Sequence, residues 1–167
     1  MKLRGPHLLL ASSNVLRLLE NIRHLISKKS QVALQKEINR NVAMLYRLAI
    51  DHYDLADNCA AAQWRQKISR YYYAAYCCSR AVRLHHDGVF STDPADHQQI
   101  GKLPDTFPNH ATFSNRLKTL REDRNLADYS HDSVEADLIL KVSDARDLVT
   151  EFMKDAKSLL VRRGLRL

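Results

Sequence analysis

Hydrophobic residues recur every three or four positions along most of this chain, the spacing that places them on one face of an α-helix. The first three stripes run from Val15 to Ile26, from Leu34 to Cys59 and from Trp64 to about Leu84. Ser12 and Ser13 stand where the first helix would be capped, and Asp87-Gly88 ends the third. Between Tyr71 and Cys78 the third stripe is apolar on every side, which predicts a central helix.

The second half of the chain begins with an irregular stretch, residues 91–110, which holds three of the four prolines. A connection with at most a short helix is expected there. Helical spacing returns at Phe113, Leu117 and Leu120, and a last helix is predicted from Val134 to Leu160, with Asp132 and Glu135 as its capping pair. Because no stretch alternates with period two, the predicted fold is an all-α bundle of about five helices, with an additional N-terminal helix.

The charge of the chain favours polyanionic partners. The formal net charge is +7 and the isoelectric point is about 9.5, so long-range attraction favours encounters with nucleic acid. The alternative is a modestly basic protein that binds no polyanion. The basic tail, residues 163–167, fits either a phosphate contact or a helix end that complements its dipole.

Cysteine and histidine usage argues against disulfides and metals. Cys77 and Cys78 are adjacent, and with Cys59 they are interpreted as small core residues in a reducing compartment. The eight histidines do not combine with cysteines or carboxylates at ligand spacing, so neither a metal nor another cofactor is expected. The apolar run Leu8–Ala11 is too short for a signal peptide or a membrane span, which predicts a cytoplasmic protein.

The stretch REDRNLADYSHDSVEADL, residues 121–138, is the strongest candidate site. If the helix through Phe113 continues, Arg124 and His131 lie within about 20° of each other, with Asp128 between them. One interpretation is a solvated helix end, in which Arg124 and Asp128 form a weak surface ion pair. The other is a polar strip facing a groove or a second subunit, where Arg124 binds phosphate and His131 transfers a proton.

Two stretches together resemble the HEPN family, helical-bundle proteins of toxin–antitoxin, CRISPR and other defence systems. They are RYYYAAYCCSRAV (residues 70–82) and LREDRNLADYSH (residues 120–131). The diagnostic pattern is an Arg followed by a polar residue, with four to six residues between the Arg and a His. Arg124, Asn125 and His131 match it at the long end of the allowed spacing. The resemblance covers roughly residues 62–162, leaving residues 1–61 as an N-terminal helical extension that packs on the bundle.

The resemblance implies a metal-independent endoribonuclease that works as a homodimer, with both copies of the motif in one cleft. The RNA 2′-hydroxyl would attack the scissile phosphate, with His131 as general acid or base, Arg124 stabilising charge on the phosphoryl oxygens and Asn125 shaping the cleft. The products would carry a 2′,3′-cyclic phosphate. A toxin or defence role follows from the same resemblance.

The pair Asp128-Tyr129 differs from the toxin branch of the family, where a Tyr follows the His. Tyr129 lies about 140° round the helix from Arg124, which suggests a core or interface ring. It joins Asp128 as a candidate binding residue. The alternative function is therefore a non-catalytic HEPN module, with Arg124 as the phosphate clamp for a nucleotide or for a partner nucleotidyltransferase antitoxin. A third reading is a plain assembly bundle.

Overall fold

The computed structural model describes residues 13–91 and 93–166, and within these ranges it is all-helical. The five α-helices are α1 (Val15–Ile22), α2 (Lys28–Asn58), α3 (Trp64–Asp87), α4 (His110–Tyr129) and α5 (Val142–Arg162). Two short 3₁₀ helices, Pro94–Gln99 and Glu135–Asp137, lie in the connections on either side of α4. The predicted all-α bundle of about five helices is confirmed. None of the described helices is long and apolar enough to cross a membrane.

Helix α3 is the centre of the bundle, as its all-round apolar sequence predicted. Its buried residues include Tyr71, Tyr72 and Cys78, and α2, α4 and α5 all pack against it. One continuous apolar core joins these four helices. Helix α2 contributes Val42 and Ala49 to that core, so the segment assigned to an N-terminal extension is packed into the bundle.

The end of α3 fixes the start of α1. Gly88 adopts a left-handed conformation (φ 67°) that terminates α3, as the Asp87-Gly88 pair predicted. The side chain of Asn14 donates to the Asp87 carbonyl at 2.7 Å and also accepts from the N–H of Arg17. Asn14 is therefore the cap of α1. The predicted capping residue Ser13 was wrong, and Ser12 lies outside the described residues.

Two predicted helix boundaries were wrong. Helix α1 ends at Ile22, and Leu25, which continued its stripe, is 61% exposed. Helix α5 begins at Val142, not near Val134. The reason is that backbone N–H groups before Val142 donate to side-chain carboxylates instead of to helix carbonyls. Asp137 accepts from Val134, and the buried Asp123 accepts from Ile139 and Leu140.

The three cysteines are free thiols, and two of them are core residues. Cys77 and Cys78 are buried, and burial raises the pKa of Cys77 to about 11. Cys59, expected to be buried in a helix, is only partly buried and follows the last residue of α2. At the other end of the chain, Leu165 is buried and its N–H donates to the Leu160 carbonyl, so the basic tail begins as a turn folded on α5.

Candidate functional site

Arg124 is held against α3 by contacts on every side of its guanidinium. Its Nη2 donates to the Tyr73 hydroxyl at 2.7 Å, and its Nη1 donates to the Asn125 side chain at 3.2 Å. Its Nε lies 2.7 Å from an Asp128 carboxylate oxygen, an ionic contact whose N–H direction does not meet hydrogen-bond geometry. The rings of Tyr72, Tyr73 and Tyr129 each lie within 5.5 Å of the guanidinium carbon.

These contacts keep Arg124 charged in a largely enclosed position. The side chain is only 12% exposed, and burial by itself would lower its pKa. The Tyr73 hydroxyl, the Asp128 carboxylate and Tyr129 outweigh that effect, and the pKa of Arg124 is raised. The Arg124–Asp128 contact is therefore more enclosed than the surface ion pair that a solvated helix end would give.

His131 does not share the helical face of Arg124. Helix α4 ends at Tyr129, and Ser130 has extended backbone dihedral angles. The predicted alignment within 20° was therefore wrong, because Ser130, Asp132 and Ser133 form a turn instead of a further helical turn. In that turn the Ser130 hydroxyl donates to Asp132, and the Ser133 hydroxyl donates to Ser130. His131 is exposed and makes no hydrogen bond or ion pair with any residue the structure describes.

Arg65 fastens the turn that carries His131 to the end of α4. Its guanidinium donates to the carbonyls of Ala127 and Ser130 at 2.8 and 2.7 Å, and to that of Ser133 at 2.6 Å. A cation bound to terminal helix carbonyls also complements the helix dipole. His131 is thus tied to the same end of α4 as Arg124, although by a turn and not by the helix.

A polar groove of about 300 Å³ lies between α3 and α4, next to Arg124. Its lining residues are Arg65, Gln66, Ser69, Arg70, Ala127 and Asp128. The guanidinium of Arg70 lies 5.9 Å from the centre of the Tyr73 ring, and the Ser69 hydroxyl is 3.5 Å from Asp128. The groove therefore carries two arginines and runs from the Arg124 contacts toward the turn that holds His131.

Three other predicted site residues, Asn125, Asp128 and Tyr129, lie around Arg124. Asn125 is exposed and contacts Arg124, and Asp128 lines the groove. Tyr129 is 67% exposed, with its ring against the Arg124 guanidinium, so it is not a core residue. Of the predicted residues, Asn125, Asp128 and Tyr129 each contact Arg124, while His131 stands apart.

The sequence analysis missed two residues that lie close to this site. His52, on α2, stacks on the Tyr73 ring with centres 5.5 Å apart. His97, in the Pro94–Gln99 3₁₀ helix, stacks on Tyr76 at 4.1 Å, and its Nδ1 is 2.7 Å from the Tyr72 hydroxyl oxygen. The only sequence indication was the position of His97 in a long connection, a type of segment that often carries function.

Behind His97 lies a buried carboxylate network. Asp96 is 5% exposed, and it accepts from Arg83 and from the Tyr76 hydroxyl, both at 3.1 Å. Arg80 adds an ionic contact at 3.7 Å. This network attaches the 3₁₀ helix to α3. Among the described residues, no group of three or more His, Cys, Asp or Glu side chains is arranged to hold a metal ion.

Comparisons with protein-family models, with curated proteins and with solved structures found no match. The HEPN resemblance therefore stays a prediction that rests on the residues quoted above.

Proposed function

We propose that this chain is a metal-independent endoribonuclease of the HEPN type that binds the RNA backbone at Arg124 and cleaves it as a homodimer. The observation that carries the proposal is the state of Arg124, a permanently charged guanidinium oriented by Tyr73 and Asp128 at the side of a groove. An oriented guanidinium matches the oxygens of a phosphate better than a mobile one, because less freedom is lost on binding.

The groove supports phosphate binding beyond Arg124 alone. Arg65 and Arg70 line it, and the net charge of +7 favours the approach of a polyanion. The exposed ring of Tyr129 lies at the Arg124 end, where it offers a surface on which an unpaired base can stack. A single-stranded stretch of RNA fits this combination better than a duplex does.

His131 is the proposed proton-transferring residue. Its exposed ring on the turn held by Arg65 is free to meet RNA or the second subunit of a dimer. In the reaction the 2′-oxygen loses its proton and bonds to phosphorus, and the bond from phosphorus to the 5′-oxygen breaks. The departing 5′-oxygen takes a proton, which leaves a 2′,3′-cyclic phosphate and a 5′-hydroxyl. We place this activity in the cytoplasm, as a toxin or defence function.

Two observations favour a second candidate, the non-catalytic binding module. His131 has no described partner that would orient its ring, and Asp128 already offsets the charge of Arg124. A module of this kind would clamp the phosphate of a nucleotide, or dock a nucleotidyltransferase antitoxin, without moving a proton.

Alanine substitutions at Arg124 and His131 separate the two candidates. In EDTA, Arg124→Ala should slow RNA cleavage by about 10²-fold or more, the usual effect of removing a group that stabilises charge in the transition state. His131→Ala should slow it by a similar factor, as expected for a general acid or base. Labelled single-stranded RNA and a gel-based rate measurement are sufficient.

The chain supplies matched controls for both substitutions. Arg47 pairs with Asp51 at the same four-residue spacing, but on an exposed face of α2, so Arg47→Ala should cleave like the parent. His24→Ala removes another exposed histidine. Full cleavage by His131→Ala would remove that residue from the mechanism. RNA binding without cleavage by the parent protein, lost in Arg124→Ala, would support the binding module instead.

A further inference from the structure

His97 and Arg124 pack on the same two aromatic rings. His97 makes a ring contact with Tyr72, with centres 5.9 Å apart, and an edge contact with Tyr73 at 6.0 Å. The Arg124 guanidinium carbon lies 5.4 Å from the Tyr72 ring centre and 5.3 Å from that of Tyr73. A histidine from the connection between α3 and α4 therefore stands beside the arginine of α4.

The position of Arg124 relative to the two histidines follows from the contacts along α3. Arg65, near the start of α3, holds the turn of His131, whereas Tyr73, two turns later, holds Arg124. His97 contacts the Tyr72 and Tyr73 rings that Arg124 also contacts, and it contacts Tyr76 one turn later along α3. Along α3, the contacts thus follow the order of the His131 turn at Arg65, then Arg124 at Tyr73, then His97 reaching as far as Tyr76.

The His97 ring is fixed in the orientation that proton transfer needs. Its Nδ1 lies 2.7 Å from the Tyr72 hydroxyl oxygen, and its face stacks on Tyr76 at 4.1 Å. The structure describes no hydrogen-bond partner for its Nε2. When Nδ1–H donates to the Tyr72 oxygen, Nε2 carries the lone pair that a general base requires.

The surroundings of His97 keep its ring neutral near pH 7. Burial is the main cause that lowers its pKa, and the charges of Arg124 on α4 and Arg80 on α3 lower it further. Asp96, the adjacent residue, acts in the opposite direction but does not reverse the shift. Burial also raises the pKa of the Tyr72 hydroxyl, which therefore stays protonated.

We propose that His97 is a second catalytic histidine of the Arg124 site, with Nε2 as the general base that takes the 2′-hydroxyl proton. This rests on the proposed RNA cleavage. The 2′-oxygen then bonds to phosphorus on one side while the 5′-oxygen leaves on the other, receiving its proton from a general acid, the role left for His131. In-line displacement needs the base and the acid on opposite sides of the phosphate. Along α3, the Tyr73 contact of Arg124 lies between Arg65, which holds the turn of His131, and Tyr76, on which His97 stacks.

The test compares substitutions that keep or remove the ring of His97. His97→Phe keeps an aromatic ring that can stack on Tyr76 but has no ring nitrogen. Its cleavage rate in EDTA should fall by about 10²-fold or more. The acid limb of the pH–rate profile should disappear with it. His97→Ala should be equally slow, and added imidazole should restore part of its activity, because a free base can occupy the vacated position. His24→Ala is the control.

The outcomes separate this inference from the function on which it rests. If the parent cleaves RNA and His97→Phe cleaves equally fast with the same pH profile, His97 is not catalytic and the proposed function stands. A slow His97→Ala that imidazole does not restore, with the acid limb unchanged, would show that His97 only supports the packing of α3. If the parent itself does not cleave, the proposed function fails and this inference fails with it.

Discussion

Asp123 illustrates how one buried side chain sets both the local backbone and the position of the site. It is 2% exposed, and its two carboxylate oxygens accept the N–H groups of Ile139 and Leu140 at 2.8 and 2.9 Å. It directly precedes Arg124 in α4. These two hydrogen bonds therefore attach the segment that follows the His131 turn to α4, the helix that carries Arg124.

Substitution of Asp123 by Asn should destabilise the fold. An amide has one oxygen where the carboxylate has two, so one partly buried N–H loses its charged acceptor, at a cost of about 1–3 kcal/mol in the free energy of unfolding. Urea unfolding followed by circular dichroism measures this, with Asp54→Asn, on an exposed part of α2, as the control. Equal stabilities of the two variants would contradict the role given to Asp123.

At the scale of helices, a glycine follows the end of both α3 and α5. A side chain at these positions would be unfavourable for two separable reasons, the left-handed backbone and a clash with neighbouring atoms. Gly88 has φ 67°, and a Cβ there would lie 2.6 Å from the Asn14 side-chain oxygen and 2.7 Å from the Leu16 nitrogen. Gly164 has φ 87°, but a Cβ there would meet nothing within 4 Å. A residue with a side chain would be strained by the left-handed backbone at both positions, and it would also clash with neighbouring atoms at position 88.

We expect Gly164→Ala to lower the free energy of unfolding by about 1 kcal/mol, the cost of the left-handed conformation alone. Gly88→Ala should lose at least about twice that amount, because the added Cβ also pushes α1 from the end of α3. Chemical denaturation of both variants gives the comparison. A Gly88→Ala protein as stable as Gly164→Ala would contradict the close approach of α1 and α3.

Some of the helices, but not all of their ends, were predictable from the sequence. The end of α3 was predictable, because Asp87-Gly88 is a local stop signal. The start of α5 was not predictable from its own sequence. Val134 and Leu138 keep helical spacing, yet Asp123 takes the N–H groups of Ile139 and Leu140, and Asp123 is distant in sequence. The candidate site divides in the same way: the sequence motif singles out Arg124 as a candidate, but His97 comes close to Arg124 only through the packing of a 3₁₀ helix on α3.

At the scale of the whole molecule, three partly buried histidines make the free energy of unfolding depend on pH. Burial is the main cause that lowers the pKa of His52, His85 and His97, and a nearby arginine lowers each one further. Because each pKa is lower in the folded than in the unfolded protein, the unfolded protein binds more protons below the ordinary histidine pKa of about 6.5. Their stabilising contribution is present above that pH and is lost as the pH falls through the folded values.

The free energy of unfolding should therefore decrease between pH 7.5 and pH 5. The decrease should persist in 0.5 M NaCl, because salt screens the arginines but not the effect of burial. His52→Phe, which keeps a ring on Tyr73, should make the decrease smaller. Urea unfolding at the two pH values is the measurement, and a stability that is flat or rises on acidification would contradict this assignment.

The charged groove beside α4 is the feature of the whole molecule on which the proposed activity depends. That activity is the binding of RNA and its cleavage without a metal. The most direct test is incubation of the purified protein with end-labelled single-stranded RNA in EDTA, followed by analysis of the product ends. We expect cleavage that leaves a 2′,3′-cyclic phosphate and a 5′-hydroxyl. Intact RNA, or cleavage that appears only when a divalent metal is added, would contradict this expectation.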